Sequence, residues 1–418
     1  MSIRKGFLVA FAAVGLASSV FAAGFSLYEA SPKTCAMGGA VVGKAMDASA
    51  NFHNPATLTD LTNITVTLGF MTEHPRGRIK VDGGPSETMD PGYFVLPSFQ
   101  LVIPLPWGFS FGIGAMPEYG LGTAYADTWS LNNNSIDTTV LSYTVNPNLA
   151  YKITDKWSVG AGLRFLYFDF EQHSLPSYND NPRIRLHNHL HGHNAMRDLG
   201  WQVGTKYDLF DNFSLGLVYK SRTVTRVEGE TENRLATSTG NAWADQMLSA
   251  GLKQASGVAS TDIELPQSII GGFNWDITKT VHLGGVVSWS QWSNLDTLYF
   301  EMPTQVKKIN LNWKDTWRMG LGASWDFYEG WSVLGSYVFE TDCSKNQDST
   351  MLPAANRHLI TCGLAWNCWR GLELALTYGV IVMDGIGTHA TAPDGHLAYY
   401  EAAFGISHAA GFSITYRF

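Results

Sequence analysis

The sequence predicts an all-β fold, a transmembrane antiparallel β-barrel of about fourteen strands with an N-terminal hatch, or plug, inside the lumen. Three observations predict it. Segments of strand length alternate apolar and polar residues, and tight connections take turns with long polar ones. The charged fraction is 15%, where a soluble domain carries about a quarter. The run Trp317, Met319, Leu321, Ala323, Trp325 and Phe327 shows the alternation, with Arg318, Gly320, Gly322, Ser324 and Asp326 between. A strand points successive side chains to opposite faces, so this segment has one greasy face and one polar face. Aromatics at both ends of the greasy face fit the two interfaces of a membrane. Past the leader, no run reaches the roughly 18 apolar residues of a spanning helix.

Residues 1–22 read as a signal peptide. Arg4 and Lys5 precede an apolar run from Gly6 to Val20, and Ala22 supplies the small residue at the cut. Losing Arg4 and Lys5 moves the formal charge from −8 to −10, and an acidic mature chain argues against nucleic acid as a partner. Residues 23–62 come next, with Gly38-Gly39, Gly43 and Asn54-Pro55 and no strand of spanning length. Fourteen strands enclose more space than side chains alone fill. The segment is therefore expected to fold inward from the periplasmic rim as the hatch. Asn54, Pro55 and Ala56 read as architecture, since Pro fixes φ and Asn caps a turn that leads into the first strand.

The barrel is expected over residues 63–418. Its strands are placed at Ile64–Met71, Tyr93–Ile103, Trp107–Pro117, Thr138–Lys152, Trp157–Phe170, Ala195–Asp208 and Phe213–Val227. The second half follows at Asp262–Asp276, Val281–Trp292, Asp315–Phe327, Trp331–Thr341, Arg357–Asn367, Leu372–Met383 and His408–Phe418. An even strand number puts both barrel ends at the periplasmic side, with short turns there and long loops outside. The last strand ends on Phe418 in phase with Phe412, Ile414 and Tyr416. In this register Arg164, Lys220, Arg222, Arg318 and Arg357 face the lumen. Arg164 and Arg318 are candidates to hold a substrate head group; the alternative is ion pairing with Glu340, Glu373, Asp326 or the hatch. Cys362 falls on the lipid face as a free apolar filler, and Cys35, Cys343 and Cys368 show no metal-type spacing with it.

Two outer loops carry patterns of their own. In Glu228–Thr261, Trp243, Met247, Leu248 and Leu252 recur at helical spacing, either as an apolar lip that captures greasy substrate or as a packing helix. In Glu171–Asn194, His187, His189, His191 and His193 follow Arg183 and Arg185, and in an extended chain all six share one face. Metal capture, a pH-sensitive patch, contact with lipopolysaccharide phosphates and a solvated loop edge are the readings for these histidines. No H-E-x-x-H motif is present, and the one G-x-S-x-G match, Gly108 to Gly112, falls within the expected strand Trp107–Pro117 rather than at a strand-to-helix elbow, so neither catalytic residues nor a cofactor are expected.

The N-terminal residues also carry a resemblance. Ala23-Gly24-Phe25-Ser26-Leu27-Tyr28-Glu29, Met37-Gly38-Gly39-Ala40 and Asp47 to Asn54-Pro55-Ala56 occur in this order. Later come Leu265-Pro266, Trp289-Ser290-Gln291-Trp292, Trp313 to Arg318 and Pro353 to Arg357. The set resembles the FadL-type long-chain fatty acid and hydrocarbon transporters of Gram-negative outer membranes. The resemblance implies a monomeric barrel that catches a hydrophobic substrate with its outer loops and holds it in an internal apolar pocket. Hatch movement and a side opening in the wall then let it leave. One departure stands out: Tyr167-Phe168-Asp169-Phe170-Glu171 is acidic near the outer end of the fifth strand. An acidic pair is a poor partner for a carboxylate, which favours an uncharged substrate such as an aromatic hydrocarbon.

The expected function is passive uptake of hydrophobic compounds, long-chain fatty acids or aromatic and aliphatic hydrocarbons, across a bacterial outer membrane. The expected partners are a hydrophobic small molecule, outer-membrane lipids and lipopolysaccharide. The alternatives are a general diffusion porin, a barrel enzyme and an adhesive surface protein.

Overall fold

The computed structural model describes residues 24–28, 30–179, 181–344 and 355–418. The leader expected over residues 1–22 lies outside them. Fourteen antiparallel strands close into a barrel. They are β1 Thr65–Val81, β2 Phe94–Pro104, β3 Phe109–Met116, β4 Asp137–Lys152, β5 Trp157–Ser174, β6 Leu199–Phe210 and β7 Phe213–Lys220. The rest are β8 Ser268–Asp276, β9 Val281–Ser290, β10 Thr316–Tyr328, β11 Trp331–Glu340, β12 Arg357–Trp369, β13 Leu372–Met383 and β14 Leu397–Arg417. The wall closes where β14 pairs with β1, from Thr65↔Arg417 to Val81↔Tyr400. Both barrel ends therefore share one rim, the rim of the tight turns.

The alternation that defines the strands is seen on both faces. Trp317, Met319, Leu321, Trp325 and Phe327 are exposed on the outside of β10, while Arg318 is buried within. Trp317 and Trp325 mark the two interfaces. They are eight residues apart, about 26 Å along a strand that rises roughly 3.3 Å per residue. Cys362 is exposed on β12, between Ile360 and Leu364, and its thiol is free.

The structure departs from the expected strands in three places. β1 and β14 run well past the lipid band, and the outer half of β1 carries His74, Arg76, Arg78 and Lys80 rather than an apolar stripe. The segment Glu171–Asn194, expected as a loop, continues β5 to Ser174 and returns as a strand Asn181–His193. Phe213–Val227 and Asp262–Asp276, expected as single strands, are each broken. β7 stops at Lys220 before a loop strand Thr223–Leu235, and a loop strand Gly257–Leu265 precedes β8. Pro266 has no N–H to give to a ladder. Across the break at Ser221 the alternation changes phase, so Arg222, expected in the lumen, points outward and pairs with Glu264 at 3.1 Å.

Residues 24–61 lie inside the barrel, where nearly every one is buried. The segment holds a short helix α1 Pro32–Ala36, a single turn α2 Ala50–His53 and a 3₁₀ turn Pro55–Asp60. Ser31 caps α1, and the Ser31 and Ser49 hydroxyls both donate to Asp47 at 2.5 Å. The Asn54 side chain accepts from the Ala56 N–H at 3.0 Å and donates to the carbonyls of Val42 at 2.8 Å and Thr205 at 3.1 Å. It thus caps the 3₁₀ turn and ties it to β6 at once.

The wall meets this segment through glycine. A Cβ on Gly216 would lie 2.1 Å from the Val42 carbonyl oxygen, on Gly284 2.0 Å from that of Ala40, and on Gly322 2.3 Å from that of Met37. These luminal glycines on β7, β9 and β10 form a bed in which the chain lies backbone against backbone. Asn274 on β8 fastens it there, donating to the Ala40 carbonyl and accepting from the Gly43 N–H, both at 2.9 Å.

Candidate functional site

Above the buried segment, towards the long loops, the lumen is apolar. Phe25 sits at its centre and is 2% exposed. Its ring contacts Trp292 at 4.9 Å, Tyr119 at 5.9 Å, Trp313 at 6.0 Å and Phe168 at 6.1 Å between centroids. Phe170, Leu190, Leu298, Phe300 and Ile309 continue this apolar chamber outward as a close-packed cluster that their own side chains fill. Gly24 turns the chain into it with φ of 64°, and a Cβ there would fall 2.2 Å from the Trp292 ring. The Gly24 N–H donates to the Cys343 sulfur at 3.0 Å.

The chamber rests on a buried ionic layer. Glu118 pairs with Arg164 at 2.6 Å and with Lys220 at 3.5 Å. Thr144 donates to Glu118 at 2.8 Å, and Arg164 also donates to the Ser221 carbonyl at 3.2 Å. The Lys220 ammonium stands 3.3 Å from the centre of the Phe52 ring. Arg318 donates to the Gly38 carbonyl at 2.9 Å and lies over the Tyr28 ring. Lys33 reaches from α1 to Glu373 on β13 at 2.7 Å, and Arg357 pairs with Glu340. Arg164 and Arg318 thus meet protein groups, one in an ion pair and the other in the buried segment.

Beside the chamber the wall is interrupted. The last rung between β2 and β3 is Phe99↔Ala115, yet β2 continues to Phe94, with the partners of Phe94–Ser98 on β1. Pro117 ends β3 and the chain bends inward. There the Glu118 carbonyl accepts from the Leu27 N–H and the Phe25 carbonyl from the Gly120 N–H, both at 2.8 Å. β3 therefore leaves its neighbour in the wall to pair with the luminal segment.

A closed barrel with this inner segment matches a known family over almost its whole length. Residues 13–418 match the family described as "Outer membrane protein transport protein (OMPP1/FadL/TodX)". The chain belongs to the OMPP1/FadL/TodX family. It is 23% identical over 440 residues to a long-chain fatty acid transport protein of Escherichia coli O6:H1 (strain CFT073), with 96% of each chain covered. Among solved structures, a Pseudomonas aeruginosa FadL homologue shares the fold with a TM-score of 0.85 at 16% identity, covering 94% of this chain and 100% of the other. The P. putida toluene transporter TodX matches with a TM-score of 0.73 at 15% identity, covering 92% and 97%.

In this FadL-type barrel the acidic pair at the end of β5 does not face the chamber. Phe168 and Phe170 point inward, while Asp169 and Glu171 point outward to His191 at 3.4 Å and His189 at 2.9 Å. The expectation that these carboxylates disfavour an anionic substrate is thereby corrected, because strand alternation turns them away from it. Trp243, Met247, Leu248 and Leu252 lie on a helix, α3 Ala242–Gln254, capped by the Asn241 side chain. Trp243 and Met247 are exposed, Leu248 is half-buried and Leu252 is buried. The four expected histidines share one face of Asn181–His193, and their partners come from neighbouring strands.

One residue of the FadL-type chamber has no counterpart in the sequence reading. Lys307 lies in an outer hairpin, Thr297–Glu301 with Val306–Asn310, directly across from Phe300. Directly opposed residues share a face, so Lys307 stands with Phe300 and Ile309 at the chamber rim. It is half-buried, and loss of water lowers its ammonium pKa from the ordinary lysine value. Among the described residues no carboxylate pairs with it. In the sequence it sits in a polar stretch, Gln305 to Lys308, where nothing marks it out.

Proposed function

We propose that the protein takes up hydrophobic molecules that carry an apolar tail and an acidic head, long-chain fatty acids foremost, and passes them through its chamber into the membrane. The observation that carries this is the packed apolar cluster around Phe25, set beside an interruption in the wall. The exposed Trp243 and Met247 supply an outer lip, the chamber takes the tail and Lys307 reads the head. Residues 23–62 act as the hatch and residues 1–22 as the cleaved leader. Arg164 and Arg318 hold the hatch and the bent β3, and Asn54, Pro55 and Ala56 shape its entry into β1. The barrel works as a monomer among outer-membrane lipids and lipopolysaccharide, with neither cofactor nor chemistry. A neutral aromatic hydrocarbon is the second reading, favoured by the aromatic lining of Trp292, Trp313 and Phe168.

Uptake of radiolabelled oleate and toluene by cells lacking their own transporter tests both readings. A charge-assisted hydrogen bond contributes about 1.5–3 kcal/mol, and 1.4 kcal/mol is a factor of ten. Lys307→Gln is therefore expected to raise the half-saturating oleate concentration about tenfold or more and to leave toluene uptake unchanged. An equal oleate response in the variant removes Lys307 as reader. No protein-dependent uptake of either compound ends the transport reading, and steady ion conductance of the wild type would indicate a porin.

A further inference from the structure

We infer that the outer face of the ribbon formed by β5 and the strand Asn181–His193 is a binding site for a first-row divalent metal, held by Glu171, His173 and His189. Their ligating atoms lie within 4.8 Å of one another. The His189 imidazole already meets Glu171 at 2.9 Å, and the His173 and His189 rings stack at 4.1 Å with an interplanar angle of 11°. This proximity follows from the register: β5 pairs with Asn181–His193 so that His173 stands directly opposite His189.

The set differs from a ladder along one strand. Histidines at alternate positions of a strand are about 6.6 Å apart, and His189 and His191 have ring centroids 6.5 Å apart, whereas those of His173 and His189 are 4.1 Å apart. The compact set runs across strands instead. A second carboxylate completes it: Asp137, opposite His173 on β4, meets the His173 Nδ1 at 2.7 Å. That bond leaves Nε2 as the coordinating atom, and a carboxylate behind a ligating imidazole fixes the ring and strengthens it as a donor.

The surroundings favour a cation at this end of the ribbon. Glu232 stands opposite His189 and Glu230 opposite His191, whereas Arg234 stands opposite His187. Two imidazoles and one carboxylate suit zinc or nickel, while magnesium and calcium prefer all-oxygen sets. The same strands send Phe168, Phe170 and Leu190 inward to the chamber. An ion on the outer face would therefore clamp a chamber wall from behind.

Calorimetric titration of the full barrel in detergent with zinc, and separately with nickel, tests the site. One equivalent is expected to bind. His173→Ala with His189→Ala should abolish binding, and Asp137→Asn should weaken it about 10- to 100-fold. His187→Ala with His193→Ala should leave affinity unchanged. Zinc should also slow hydrogen exchange at Phe168–Phe170 and at Leu190 in the wild type alone. Wild-type affinity in the His173/His189 double variant would overturn the site, as would loss of binding in the His187/His193 variant. All these side chains lie on an outer polar face, so heat-modifiable mobility should report an intact barrel in each variant. Asp137→Asn repeats the test with every ring retained.

Discussion

Glu118→Ala is expected to destabilise the barrel by about 3–5 kcal/mol, the cost of stranding a buried charge. Glu118 is 5% exposed and is the one carboxylate that pairs with Arg164 and Lys220 among the described residues. Without it two cations share an interior with little water. Lys220 keeps only the Phe52 ring, and Arg164 keeps the Ser221 carbonyl and the Tyr119 hydroxyl. Urea unfolding in lipid vesicles, followed by tryptophan fluorescence, measures the loss. The variant Glu118→Leu with Arg164→Met removes both charges of the closest pair and should recover much of it, because apolar replacement of a buried pair is often neutral. If Glu118→Ala unfolds at the wild-type urea concentration, the three groups do not form a desolvated network. The change also reaches function, since Glu118 lies on the inward bend of β3 and its backbone holds Leu27.

Gly284→Val should turn a silent barrel into a conducting one. The added Cβ would meet the Ala40 carbonyl at 2.0 Å, and backbone on both sides leaves no flexible side chain to yield. Overpacking of this kind costs about 1–3 kcal/mol. The barrel wall is bonded rung by rung through β8, β9 and β10, whereas the hatch is held near Ala40 chiefly by Asn274. The hatch therefore moves and the wall stays. Planar-bilayer recordings should show steady conductance for the variant and almost none for the wild type. Hydrogen exchange should rise over residues 36–43 and remain slow in β8 to β10. A silent Gly284→Val barrel with wild-type protection would mean that the glycine bed does not govern sealing.

The barrel was legible because lipid enforces a strict alternation. Trp317 to Phe327 has no charge on its outer face, since a charged residue there costs about 2–4 kcal/mol at mid-membrane. Beyond the lipid the constraint lapses. His74 to Lys80 on β1 and Asn181–His193 are strands with polar residues on their water-facing side, so periodicity did not reveal them. The phase change at Ser221 was equally hidden, and it moved Arg222 to the outside. Asp169 is a different case. Arg164 was already placed inside, and counting by twos puts Phe168 and Phe170 inside and Asp169 outside. Gly216, Gly284 and Gly322 fall on the polar face, but only the course of residues 37–43 shows them as a bed. Lys307 and the pairing of His173 with His189 depend on which strands lie side by side, and that is not local information.

Phe25 has a consequence for every binding measurement on this protein. It fills the centre of the chamber and is tethered only one residue from the turn at Gly24, so on the proposed function it would act as an intramolecular competitor at high effective concentration. A guest of this chamber would bind only in the fraction of molecules whose Phe25 has withdrawn, and its apparent affinity would be the intrinsic one reduced by that fraction. Phe25→Ala should then tighten binding of small hydrophobic guests without adding a single contact to them.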